Sequence, residues 1–381
     1  MRVSLLLFIV FTFSCLSSCW YTPKGDQPLH HRQTIAKKQK KVKPDTLKHD
    51  TVSVVAVGDL MLGTAYPNIN NLPPNGAKYS FTYALNELRN ADLTFGNLEG
   101  TLLNDGAPMN YKLHFKTTGY MFRMPESYGE VLQDAGFDLL SVANNHIGDF
   151  GEKGRTSTIR VLDSLGIMFG GLQVHPVAMF QVKGIKYGFC AFAASGATLS
   201  IFDMKSAANI ISDLKQQCDI VIVSFHGGAE GAKFEHIPFK NEQFNSEWRG
   251  DVHAFAHNAI DAGADLIFGN GPHVSRAMEL YKNRLIAYSL GNFCTYRCVS
   301  VAGVCGYAPL LKVYVTRKGD FLKGHISSYM QTHQNGLQAD SLNRAAGRIK
   351  ILTETDFPES GLSISDEGDV LRQSESKFAE F

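Results

Sequence analysis

The sequence predicts an α/β protein built from layered sheets, on three observations. From Thr51 onward, short β-rich apolar runs alternate with helical stretches. Two places, Val177–Ala193 and the region after Leu310, put strands next to each other with no helix between them, which adds antiparallel pairing to the parallel pattern. Polar side chains capable of chemistry fall just where the apolar runs stop.

The elements follow in order. Val52–Val57 is a buried-type strand that ends in Gly58-Asp59. Tyr79–Arg89 reads as helical and leads to a strand at Asp92–Phe95. Pro125 opens a helix that runs through Ala135 and stops at Gly136, before a strand over Phe137–Val142. Lys153–Leu165 is a helix closed by Gly166. Val177–Ala193 forms two strands joined at Lys183-Gly184. Ala207–Gln217 is helical, Ile220–Phe225 is an apolar strand, and Glu247–Ala262 is a helix stopped at Gly263. Strands at Asp265–Phe268, Leu285–Leu290 and Leu310–Thr316 follow. Beyond Thr332 the chain is mostly polar, with Ile349–Leu352 as a last strand and a loose end. No repeat is visible.

Composition sets the class. The 381 residues are 44% hydrophobic and 19% charged, with a formal net charge of +1. That is enough apolar material for a sizeable core, and the balanced charge argues against nucleic acid as a partner. The first residues differ in kind. Arg2 precedes the apolar run Leu5–Phe11, which is shorter than the roughly 20 residues a spanning helix needs, so it reads as an export leader. Leu16-Ser17-Ser18-Cys19 then resembles the bacterial lipobox, which makes Cys19 the expected lipidation site. The expected organisation is a signal peptide over 1–19, a basic polar linker over 20–50, one large domain over 51–331 and a C-terminal extension over 332–381. An exported, lipid-anchored envelope protein follows, with the membrane reached through its anchor. Cys294, Cys298 and Cys305 cluster closely enough for one disulfide in an oxidising compartment; zinc held by three thiols is the alternative.

The chemistry lies at the strand ends. Asp59, Asn97 with Glu99, Asn145 with His146, His226, and Asn270 with His273 each follow a predicted strand. In α/β sheets, ligands bind beyond the carboxyl ends of strands. Together these residues offer oxygen and nitrogen donors suited to Mn, Zn, Fe or Mg rather than to soft copper.

Five segments carry a resemblance. Val57-Gly58-Asp59-Leu60-Met61-Leu62-Gly63, Gly96-Asn97-Leu98-Glu99-Gly100, Ser141–His146, Gly269–Val274 and Tyr288–Phe293 resemble, in order, motifs of the CapA family of capsule-synthesis proteins. Phe122–Pro125 resembles a further segment of that family. The family is similar to calcineurin-like metallophosphoesterases, which implies an αββα sandwich of two mixed sheets flanked by helices. The resemblance implies one or two divalent metal ions held by Asp59, Glu99, Asn145, His226 and His273, with His146 as the catalytic acid. Arg123, Asn97 and Asn270 are expected at the substrate. Departures are specific: Met61 and Asn270 stand where relatives carry histidine, and the chain reads His226-Gly227-Gly228-Ala229-Glu230 where relatives commonly have a tryptophan after the histidine. The implied activity is a metal-dependent hydrolase or transferase in poly-γ-glutamate capsule synthesis, acting on an anionic polymer or peptide. The alternative is a non-catalytic polymer-binding lipoprotein with a degraded metal site.

Overall fold

The computed structural model describes residues 51–109, 120–334 and 336–373. The leader, Cys19, the linker and the last eight residues lie outside that range.

Two mixed sheets pack face to face with helices on both outer sides. The chain begins with β1 (Thr51–Met61), β2 (Leu93–Leu98), β3 (Leu139–Ser141) and β4 (Met168–Gly170), which pair in parallel in that order. Between them stand α1 (Leu85–Leu88), α2 (Tyr128–Ala135) and α3 (Gly151–Leu165). It then crosses to the second sheet with β5 (Val177–Val182), β6 (Ile185–Ala193), β7 (Ile220–His226), β8 (Leu266–Asn270), β9 (Met278–Tyr281) and β10 (Arg284–Ala287), in spatial order β9-β10-β8-β7-β6-β5. Helices α4 (Met204–Lys215) and α5 (Val252–Asp261) belong to this half. The chain returns to the first sheet with β11 (Asn292–Thr295), β12 (Tyr307–Thr316) and β13 (Phe321–Thr332), then α6 (Arg344–Asp356), β14 (Leu362–Ile364) and β15 (Asp369–Arg372).

Alternation along β1 shows why the layers form. Val54 and Ala56 point into the core between the sheets, against Phe189, Ile222 and Phe268, while Val55 and Val57 face the helical side with Leu88, Leu132 and Leu162. A strand buried on both faces needs such a continuous apolar run. Phe95 stacks on Phe268 across the sandwich at 5.2 Å. On the far side, Val221, Val223 and Phe225 pack beneath Ala207, Ile211 and Phe255. This is the α/β/β/α sandwich that the resemblance implies.

Several expectations needed correction. Of Tyr79–Arg89, only Leu85–Leu88 is helical. Glu247–Gly250 is a strand paired with Glu242–Phe244, and the helix starts at Val252, capped by the Asp251 side chain accepting from Ala254 N at 2.9 Å. Ile349–Leu352 lies in α6 rather than in a strand, because Ala345, Ala346, Ile349, Leu352 and Thr353 all fall on one buried helical face. The five cysteines from Cys190 to Cys305 are free thiols. Cys294 packs in the outer core and faces Ser80 O, whereas Cys298 packs against the Met61, Phe122 and Val299 cluster, so the two point to different surroundings. Among the described residues, no helix is long and apolar enough to cross a membrane.

Candidate metal centre

β1 carries its pairing past the apolar run, and an irregularity in register at Asp59 turns this carboxylate into the crevice. The approach is very close: a Cβ on Gly58 would lie 1.9 Å from Gly291 O, and Asp59 N donates to that same carbonyl at 2.8 Å. Asp59 sits beside Asn97 on β2 and Asn292 on β11, so three strands present polar ends at one level. From the second sheet, His226 ends β7 directly beside Asn270, which ends β8. His273 follows on a turn in the left-handed region (φ 57°), after Gly271, whose Cβ would meet Gly227 N at 2.9 Å.

These ends converge on Glu99, which is fully buried. His273 Nε2 lies 3.6 Å from Glu99 Oε1, and His226 Nε2 and His146 Nε2 each lie 3.9 Å from the same oxygen. His273 Nδ1 faces Asp59 Oδ2 at 3.1 Å and Asn292 Oδ1 at 3.0 Å. Asn97 Nδ2 donates to Asp59 Oδ1 at 2.8 Å and lies 3.3 Å from His226 Nδ1.

Electrostatics follow from this crowding. Burial, reinforced by the Asp59 charge, holds the Glu99 carboxyl well above its usual range, although the His273 charge opposes it. Burial would also raise Asp59, but the His273 hydrogen bond and charge outweigh it and hold that carboxyl low. His273 is raised despite its burial, by Glu99 and Asp59. His226 is pushed down to about 3, chiefly by burial.

Both Glu99 carboxylate oxygens and His226 Nε2 are buried and make no hydrogen bond. Buried polar atoms left in this way carry a desolvation cost. One divalent cation placed among them would satisfy all three, and carboxylate plus imidazole is a donor set for Zn, Mn or Fe. Asp59, Glu99 and His273 offer ligand atoms within 4.8 Å of one another. The residues present fit a cation.

The other residues singled out from the sequence fall in different places. Asn145 is half-buried on the turn after β3, between the buried Asn144 and His146. Asn144 supports that turn, its Oδ1 accepting from the backbone of His146 and Ile147 and its Nδ2 donating to Leu98 O. Asn97 binds Asp59 and so braces the cluster. Asn270 donates instead to Ser224 Oγ and Phe268 O. Arg123 donates to Gly106 O at 2.7 Å and Ala65 O at 3.2 Å, with its guanidinium over Phe150 and Tyr66. Its charge is thus taken up by loop carbonyls and aromatic faces rather than directed at the carboxylates.

Two residues escaped sequence reasoning. Asp149 Oδ2 lies 2.9 Å from His146 Nδ1 and also accepts from Phe122 N, while Phe122 stacks on the His146 ring at 3.9 Å. Asn292 orients His273. The only advance signals were an aspartate three residues after a candidate histidine and an asparagine inside a motif already noticed.

Comparison with known proteins gives the family. The family described as "Bacterial capsule synthesis protein PGA_cap" matches residues 53–297. The "Capsule biosynthesis protein CapA" of Bacillus anthracis is 29% identical over 65% of this chain and 60% of its own length. The "PGA biosynthesis protein CapA" of Bacillus subtilis is 30% identical over 66% of this chain and 65% of its own. The chain therefore spans less than two thirds of the length of these relatives. Among solved structures, the NAD nucleotidase of Haemophilus influenzae overlaps 76% of this chain and 60% of its own, at 12% identity and a TM-score of 0.40. The family match runs over well more than half of the chain, through every strand end gathered here, and on that ground the protein belongs to the PGA_cap family of bacterial capsule synthesis proteins.

Proposed function

We propose that the protein acts at the cell envelope in making or trimming an anionic capsule polymer, a γ-linked polyglutamate by kinship, as a metal-dependent hydrolase or transferase. In this reading Asp59, Glu99, His226 and His273 hold the ion, Asn145 completes the site from its turn, and Cys19 carries a lipid anchor. The observation that carries the proposal is the convergence of three imidazole Nε2 atoms on one buried Glu99 oxygen that lacks any hydrogen bond.

A divalent ion held there would lower the pKa of bound water and polarise a phosphoryl or carbonyl oxygen. The chain's own residues supply the rest. Asp149 fixes the His146 ring through Nδ1, which leaves Nε2 as the proton donor to a leaving group. Asn97 and Asn292 hold Asp59 and His273 in place, so little reorganisation is needed when substrate arrives.

A single ion is favoured over a pair. Met61 packs into an apolar cluster with Phe122 and Val299, and the Asn270 amide is spent on Ser224 and Phe268, so neither position supplies a second imidazole. The same observation supports a second reading, a polymer-binding protein that performs no catalysis. Incubation of purified protein with Mn or Zn and either synthetic poly-γ-glutamate or phosphoesters decides between them. Turnover that disappears in Asp59→Asn supports the enzyme. Folded, metal-loaded protein that binds the polymer but turns over neither substrate supports the binding reading.

A further inference from the structure

We propose that the protein has a second, separate metal site, formed by His253, His257 and Glu279 and selective for Zn2+-class ions. It lies on the outer face of the second sheet and does not depend on the function proposed above. His253 and His257 stand one turn apart on α5 and so share a face, with ring centroids 4.1 Å apart. Glu279 on β9 meets them from the sheet. Ligand atoms of all three lie within 4.8 Å of one another.

The local contacts show a site that is nearly assembled. His257 Nε2 lies 3.0 Å from both Glu279 oxygens. In tetrahedral coordination with bonds of about 2.0–2.1 Å, neighbouring ligand atoms stand about 3.3 Å apart, so this pair already has the required spacing. Tyr288 Oη donates to Glu279 Oε2 at 2.7 Å, the outer-sphere hydrogen bond that orients a ligating carboxylate. Among the described residues, His253 makes ring contacts but no hydrogen bond. Phe357 and Tyr288 stack beside its ring, and Tyr281 stacks on His257 at 3.8 Å. These aromatic walls limit rotation of both imidazoles. A modest swing of His253 would complete three protein ligands from a borderline N/O donor set, leaving the fourth position to water on the half-exposed side. Bound there, the ion would tie α5 to β9 across an otherwise non-covalent junction.

The test uses the full chain and Zn2+ or Co2+ alone. In an Asp59→Asn, His273→Gln background, one equivalent of Zn2+ should still bind and raise the melting temperature. Both effects should vanish when His253→Gln and His257→Gln are added. Co2+ should give a visible d–d absorption that the same two changes remove. If the background variant is poorly folded, the otherwise unmodified chain serves: His253→Gln, His257→Gln should lower Zn2+ stoichiometry by one and leave polymer turnover unchanged. Metal stoichiometry and Co2+ absorption unaltered by those two changes would overturn the proposal, and leave the group a His257–Glu279–Tyr288 hydrogen-bond chain. Because turnover is read separately from stoichiometry, failure here is distinguishable from failure of the function proposed above.

Discussion

At the residue scale, the central question is what Glu99 costs the fold when no cation is present. Burial already favours its neutral form, so Glu99→Gln replaces a carboxyl with a near-isosteric amide. The metal-free protein should lose at most about 1.5 kcal/mol. The variant should nevertheless forfeit the stabilisation that bound metal confers, about 2.7 kcal/mol at one hundred times Kd. Thermal melts with and without Mn or Zn check both halves, and a metal-induced rise that survives the substitution would remove Glu99 from the site. Asp149 makes a second, independent case. In the proposed reaction it would act through His146, holding Nδ1 at 2.9 Å. Asp149→Asn should therefore leave metal content unchanged while lowering kcat by about a hundredfold, the lower end of what general acid catalysis contributes. Elemental analysis beside turnover separates this from loss of the ion.

At the element scale, β1 is fastened at both ends. At its carboxyl end the backbone passes so close to Gly291 that Gly58→Ala would force the strand away from the loop. We expect a cost of about 3 kcal/mol in chemical denaturation, the upper range for overpacking. At the other end Asp92 accepts from Ser53 N and Oγ, both at 2.8 Å, and pairs with Lys183 on the β5–β6 turn, linking the first sheet to the second. Burial would raise this carboxyl, but the Lys183 and Ser53 hydrogen bonds prevail and hold it below its usual value. A depressed carboxylate stabilises fully above the unfolded pKa, about 3.9, and loses that contribution as pH falls through the folded value. Asp92→Asn should thus destabilise by about 1.5–3 kcal/mol at pH 7, a gap that closes with acid and is read from urea melts at a series of pH values. A constant gap down to pH 2 would mean the charge contributes nothing. Much of this organisation was legible. Apolar runs and the terminating glycines Gly136 (φ 101°) and Gly166 (φ 68°) mark elements because their physics is local. The strand ends bearing Asp59, Glu99, His226 and His273 were legible for the same reason. What stayed hidden depends on tertiary partners: Arg123 binds loop carbonyls that no pattern announces, and Asp149 and Asn292 act through other side chains. In α6, the Ile-Lys-Ile run suggested a strand, while the wider spacing from Ala345 to Thr353 followed a helix.

At the scale of the whole molecule, the C-terminal segment determines whether the two halves form one unit. The polar character of the chain beyond Thr332 suggests an appendage, yet its few apolar residues are placed to bridge the layers. Ala346, Ile349, Leu362, Ile364 and Val370 enter the core between the sheets. Leu352 and Phe357 instead enter the outer core of the second sheet, where Phe357 stacks on Tyr288 at 5.1 Å. β15 also covers the edge of β13, pairing Gly324 with Val370. Burying one large apolar side chain stabilises by about 1.5–3 kcal/mol, so losing several together exceeds the roughly 5–15 kcal/mol by which a domain is stable. A chain ending at Thr332 should therefore fail to fold cooperatively, with broadened melts and dye-binding hydrophobic surface. The milder Ile349→Ala should cost about 2–5 kcal/mol and keep a single sharp transition. A truncated protein that melts as sharply and as high as the full chain would show instead that the sandwich closes without its last helix and edge strands.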